Sequence, residues 1–97
     1  GKFYLACLED GGLLALSRTC THLGCTVPWR EKDMLFVCPC HGSVFDITGN
    51  VLNAPAPRPL DIYPLSIENN VIKVDTHRPV TRSQFRQDQI VHPQKKA

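Results

Sequence analysis

Residues 20–25 read Cys20-Thr21-His22-Leu23-Gly24-Cys25, and residues 38–43 read Cys38-Pro39-Cys40-His41-Gly42-Ser43. Four of the chain's five cysteines and two of its four histidines fall in these two boxes. Each box offers one cysteine, one histidine close to it, and one further cysteine. A disulfide framework of the kind that staples small extracellular domains leaves an odd cysteine and gives no reason for a histidine in each box. A zinc site of two cysteines and two histidines wants its paired ligands two to four residues apart, and Cys20-x-His22 is tighter than that. A plant-type ferredoxin needs a cysteine three residues after Cys25, where Pro28 stands. Haem attachment needs Cys-x-x-Cys-His, and Cys38-Pro39-Cys40-His41 is one residue short. The pattern is that of two similar boxes, each with one thiolate and one imidazole close together, and none of these four motifs accounts for it.

Outward from the boxes, the chain is short apolar stretches between turns. Phe3 to Leu8 reads as a strand, Asp10-Gly11-Gly12 as a turn, and Leu13 to Leu16 as the returning strand. Met34 to Val37 is a third strand. Ile62 to Ile67 and Val71 to Val74 flank Asn69-Asn70, a type I′ hairpin signal. No segment holds a helical period beyond two turns, so the fold class is all-β with antiparallel sheets. Residues 19–48 and the stretch 53–59 interrupt the strands. The latter, Asn53-Ala54-Pro55-Ala56-Pro57-Arg58-Pro59, has too many prolines for a strand interior and reads as a stiff loop. Ninety-seven residues make one domain with a modest core.

Charge is unevenly spread. Residues 1–75 carry six Lys/Arg against eight Asp/Glu, whereas residues 76–97 carry five against Asp88 alone. The folded part is therefore mildly acidic, with no basic face interleaved with aromatics, which argues against nucleic acid. Residues 76–97 read as a solvated basic tail, with His77 and His92 among its polar residues. No apolar run spans a bilayer, and the start inside a strand pattern at Gly1-Lys2-Phe3 reads as a soluble domain separated from a targeting or anchoring segment. Cys7, alternating with Phe3 and Leu5, reads as a small buried core residue. Trp29 reads as packing.

The two boxes resemble the cluster-binding boxes of the Rieske family, in its branch from cytochrome bc-type complexes, and the likeness extends more loosely over about residues 3–75. The resemblance implies one 2Fe–2S cluster, with Cys20 and Cys38 on one iron and His22 and His41 on the other. It further implies a Cys25–Cys40 disulfide, two cysteines that Rieske-type ferredoxins and ring-hydroxylating oxygenases lack. On that reading, 1–75 is the Rieske domain, with the cluster-binding tip at 19–48 and a proline loop at 53–59.

Two ferric ions, two sulfides and two thiolates sum to zero charge, so such centres accept an electron at roughly −150 to +300 mV, against about −400 mV for plant-type ferredoxins. Imidazole adds a proton that becomes more acidic when the iron is ferric, coupling electron to proton. By resemblance His41 faces a quinol, Ser43 donates its hydroxyl to a bridging sulfide, and Leu23 shields the cluster or joins an apolar docking surface. Pro55 and Pro57 belong to the loop covering the cluster, which opens here on Asn53-Ala54-Pro55 where the family usually has Gly-Pro. Phe45 stands where high-potential members have a Tyr bonded to a ligand sulfur, which implies a lower potential and a donor such as menaquinol.

The function implied is electron transfer as the iron–sulfur subunit of a quinol-oxidising complex, catalytic only within it. Its partners are a cytochrome b-type membrane subunit and a c-type cytochrome acceptor. The disulfide implies the periplasmic or equivalent oxidising side, with the membrane reached through an N-terminal anchor. The small Rieske subunit of a molybdenum oxidase such as arsenite oxidase is the alternative, and a colourless zinc or disulfide structural module is a remote third.

Overall fold

The computed structural model describes residues 3–21 and 24–93. Its strands are β1 (Phe3–Cys7), β2 (Leu13–Ser17), β3 (Trp29–Arg30), β4 (Leu35–Val37), β5 (Val44–Phe45), β6 (Val51–Asn53), β7 (Ile62–Tyr63), β8 (Leu65–Glu68) and β9 (Val71–Val74). They form a base sheet in the order β1-β2-β7, a tip sheet β3-β4-β5-β6 and a separate hairpin β8-β9. Every named strand pair is antiparallel. Among the described residues the only helix is a 3-10 turn at Gln87–Gln89, and none is long and apolar enough to cross a membrane.

Local chemistry accounts for most of the boundaries. Asn69 and Asn70 both take positive φ, 50° and 63°, closing β8 on β9 as the type I′ geometry requires. The run Ile62 to Ile67, read as one strand, is two. Pro64 falls between β7, which pairs with β2, and β8, which pairs with β9. Proline has no N–H for a ladder, and the chain changes sheets there. The segment 19–48 is likewise not pure insertion, because it contributes β3, β4 and β5 of the tip sheet.

One core joins the two sheets. Leu14 and Leu16 from β2 meet Phe36 from β4, Phe45 from β5, Val27, Leu60 and the thiols of Cys20 and Cys38. Phe45, Leu16, Leu60 and Val27 are the largest wholly buried members. An aromatic run crosses the seam: Tyr4 lies 5.1 Å from Phe36, and Phe36 lies 4.7 Å from Trp29. The Tyr4 hydroxyl donates to the Val27 carbonyl at 2.9 Å, fastening β1 to the chain entering the tip.

That seam corrects the reading of Cys7. The inward positions of β1 are Tyr4 and Ala6, so Leu5 and Cys7 point to solvent and Cys7 is an exposed free thiol. The base needs the Tyr4 ring against Phe36, and a period of two then turns Cys7 outward.

The basic C-terminal stretch also departs from the expected solvated tail, as far as it is described. Val80 exchanges hydrogen bonds with Ile62, and Val91 does so with Leu13, so the segment rejoins the base at two points. Between them Ile90 enters the core, and Arg82 is buried at 5% exposure. His92 is exposed, as expected, and its Nε2 lies 3.0 Å from Asp10 Oδ2. That contact and the Gly12 N–H hold the Asp10 carboxyl below the usual range. His77 is exposed, as expected. Lys95 and Lys96 lie outside the described residues.

Candidate metal centre

The two boxes fold as matching loops. In the first, Thr19 bridges Thr26 across the loop mouth; in the second, Val37 pairs with Val44. The Cys20 N–H donates to the Cys25 carbonyl at 2.7 Å, and the Cys38 N–H donates to the Ser43 carbonyl at 2.8 Å. The carbonyl of each cysteine then accepts the N–H of the glycine four residues on, Gly24 and Gly42, both at 3.0 Å. Those glycines have φ of +77° and +79°, the left-handed conformation that glycine adopts without the backbone strain a side chain brings, so each loop can turn back. Two stretches with little shared sequence thus carry one backbone plan, with a cysteine at the same place in each.

Those two cysteines are the buried ones. Cys20 and Cys38 are free thiols at 3% and 2% exposure. Cys25 and Cys40 are bonded to each other, so the loops are joined covalently. The sulfurs of Cys25, Cys38 and Cys40 all lie within 4.8 Å of one another. Because two of the three are spent in the disulfide, Cys38 is the only one of them with a thiolate to offer a metal. His41 is exposed at the end of the second loop. His22 and Leu23 lie outside the described residues.

The proline loop is tied to both boxes. The Ala56 N–H donates to Ser43 Oγ at 3.1 Å, and the Thr21 hydroxyl donates to the Arg58 carbonyl at 2.6 Å. Asn53 reaches the Gly42 carbonyl at 3.4 Å. Ser43 is wholly buried, and by accepting the Ala56 amide its oxygen is fixed while its own proton stays available to donate. Ala56 is buried between the exposed Pro55 and Pro57, and it packs in the core that holds Cys20 and Cys38. Thr21 and Ala56 are the partners that spacing alone did not single out. Their signal is a hydrogen bond 37 residues long in one case and 13 in the other, which no local pattern carries.

This donor set fits an iron–sulfur centre: two buried free thiols at equivalent loop positions, a histidine two or three residues further along the sequence in each box, and a disulfide using up the other cysteine of each box. A protein-family model for the Rieske [2Fe-2S] domain matches residues 2–64. The chain belongs to the Rieske [2Fe-2S] domain family. Its cofactor is accordingly one 2Fe–2S cluster.

The Rieske domain is 44% identical over 86 residues to the cytochrome b6-f complex iron-sulfur subunit 1, cyanelle, of Cyanophora paradoxa, covering 86% of this chain and 35% of that protein. It is 45% identical over 71 residues to the cytochrome b6-f complex iron-sulfur subunit 2 of Nostoc sp. strain PCC 7120, covering 71% of this chain and 40% of the relative. Among solved structures it is similar to the cyanobacterial plasma membrane Rieske protein PetC3 from Synechocystis PCC 6803, with a TM-score of 0.63 and 43% identity. That likeness covers 71% of this chain and 70% of the other. The chain spans well under half the length of these curated relatives.

Proposed function

We propose that this Rieske domain is the electron carrier of the iron–sulfur subunit of a quinol-oxidising cytochrome bc-type complex. What supports the reading above all is the pair of matching loops with a buried free thiol at the same place in each, joined by the Cys25–Cys40 disulfide. Cys20 and Cys38 would hold one iron, and His22 and His41 the other. The bound cluster supplies one-electron chemistry at a potential raised by its two neutral imidazole ligands. His41, exposed at the loop end, presents its ring to a quinol, orienting the hydroxyl and taking up the proton that accompanies the electron. Ser43, its oxygen held by the Ala56 amide, would have its hydroxyl proton free to donate to cluster sulfur. On this reading Leu23 shields the cluster or joins an apolar docking surface, and Pro55 and Pro57 belong to the loop that covers it.

The partners on this reading are a cytochrome b-type membrane subunit and a c-type cytochrome acceptor, and the similarity to iron-sulfur subunits of cytochrome b6-f complexes supports cytochrome partners in general. A disulfide beside the cluster suits the oxidising, periplasmic side of a membrane, with an N-terminal anchor preceding the domain. The test is an EPR spectrum before and after dithionite reduction. A signal on reduction, with an average g below that of all-cysteine 2Fe–2S ferredoxins, is the expected result. A silent, colourless, zinc-containing protein would overturn the reading.

Phe45 bears on the choice of quinol. It is wholly buried in the cluster-side core and pairs with Phe36 across β4 and β5, with no hydroxyl to offer a sulfur. Phe45→Tyr adds that donor. A hydrogen bond about 1 kcal/mol stronger to the reduced centre corresponds to roughly 40 mV for one electron. Redox titration of the variant should show a rise of that order, and an unchanged or lower potential would remove the argument for a low-potential donor such as menaquinol.

A further inference from the structure

β1 is an open edge of the base sheet. It pairs with β2 alone, and among the described residues no other strand or bridge reaches it. The Leu8 N–H donates to the Gly12 carbonyl at 2.8 Å, on the β2 side. Alternation along an antiparallel ladder then turns the N–H and C=O of Leu5 and Cys7 away from β2. Native edges are commonly blunted by a lysine, a proline or a bulge. Phe3-Tyr4-Leu5-Ala6-Cys7 has none of these, and its pairing with β2 runs without a break in register.

Beside that edge lies a groove of about 210 Å³. Tyr4 and Ala6 from the inward face of β1 line it together with Leu5 and Cys7 from the outward face, so it runs along the edge of the strand. Trp29 and Ile47 line it from the tip. Unpaired backbone groups beside an apolar trough are what an added strand needs, main-chain bonds for affinity and seats for alternate side chains.

The two ends of the edge carry opposite charges that the fold leaves unused. At one end Arg18 follows Ser17, the partner of Phe3 in the ladder. Its guanidinium carbon stands 5.5 Å from the centre of the Tyr4 ring, and its Nε is buried without a hydrogen-bond partner. Among the described residues no carboxylate pairs with it. At the other end Glu9 is exposed, two residues beyond Cys7, and no described cation pairs with it.

We propose that the β1 edge and its groove are a docking site for an extended segment of a partner protein, which adds to the base sheet as a further strand. The segment turns apolar side chains toward Trp29 and Ile47, and carries a carboxylate at the Arg18 end and a cation at the Glu9 end. A second copy of this chain suits the groove less well. Two-fold pairing of edges puts like faces on the same side, and the copy's Tyr4 and Ala6 are already packed on its own core.

Trp29 is the chain's one tryptophan, so its emission reports the groove. The protein is titrated with the peptide Lys-Val-Thr-Val-Thr-Val-Glu, blocked at both ends. The expected result is a saturable change with a dissociation constant tighter than about 1 mM. The same peptide N-methylated along its backbone keeps the side chains but loses the N–H donors, and should give no saturable change. Replacing its Lys and Glu by Gln should weaken binding roughly five-fold, and in Arg18→Gln the two peptides should differ by less. No saturation by the parent peptide overturns the proposal. Equal binding of the methylated peptide also overturns it, because that is apolar adhesion and not strand addition. Equal binding of the Gln-ended peptide removes the charge-matched partner and overturns it too. If the protein alone sediments as a dimer that the peptide dissociates, a second copy occupies the edge and the choice of partner is overturned.

Discussion

Cys38→Ala should abolish the visible colour and the reduced-state EPR signal of this protein altogether, rather than shift either. Cys38 lies at 2% exposure in the core formed with Leu16, Phe36 and Phe45, and its carbonyl and N–H are both committed to the turn of the second loop. A methyl there keeps the loop's backbone bonds, so the loop can still close. What disappears is a thiolate that no neighbour can replace. Two sulfurs close to it, those of Cys25 and Cys40, are bonded to each other, and recruiting one would break the clasp between the loops. Because metal binding and folding are coupled in small metal domains, the variant should also unfold at a lower temperature than the loaded wild type.

Cys7→Ser is the matched contrast. Cys7 is the third free cysteine beside Cys20 and Cys38, but it faces solvent from β1, so the substitution should leave colour, EPR and potential untouched. Its effect on stability should stay within about 0.5 kcal/mol, as for surface changes generally. Iron and sulfide analysis of the two variants, read beside their spectra, checks both halves. Colour retained in Cys38→Ala would mean that the ligand set is wrong.

How far this could be read from the sequence depends on whether the deciding interactions are local. The boxes were legible because ligand spacing is a local property, and so was the β8–β9 turn, where two adjacent asparagines meet the positive φ of a type I′ hairpin. Cys7 was misread because both faces of β1 are apolar. Alternation says that Phe3, Leu5 and Cys7 share a face, but only the packing of Tyr4 on Phe36 decides which face is inward. β3 and β5 have two residues each, too few to show a period. The pairing of His92 with Asp10 spans 82 residues and has no local signal. Charge counting failed most plainly at Arg82, since it assigns every arginine of a basic stretch to solvent.

That arginine carries the largest stability effect expected outside the cluster. Its Nε donates to the Leu60 carbonyl at 2.8 Å, one Nη to the Thr48 carbonyl at 2.7 Å, and the other to Gln89 Oε1 at 2.8 Å. The planar fork thus gathers the turn before β6, the end of the proline loop and the C-terminal return at one point. Room for it is made by Gly49, where a Cβ would collide with the guanidinium. Burial pushes the guanidinium down to about 10, with Asp46 and Asp61 opposing the shift, so it is still charged at neutral pH.

Arg82→Met fills similar volume but leaves two inward carbonyls without a donor, each costing about 1–3 kcal/mol. The expected loss is therefore roughly 2–5 kcal/mol, or on the order of 10–25 °C in unfolding temperature for a domain of this size. Arg82→Lys should recover only part of it, because a single ammonium cannot span both carbonyls in the same plane. Urea titration of the three proteins measures this directly. A loss below about 1 kcal/mol in Arg82→Met would mean that the C-terminal return is held by Ile90 and its two backbone bridges, and that the guanidinium merely occupies the space beneath Gly49.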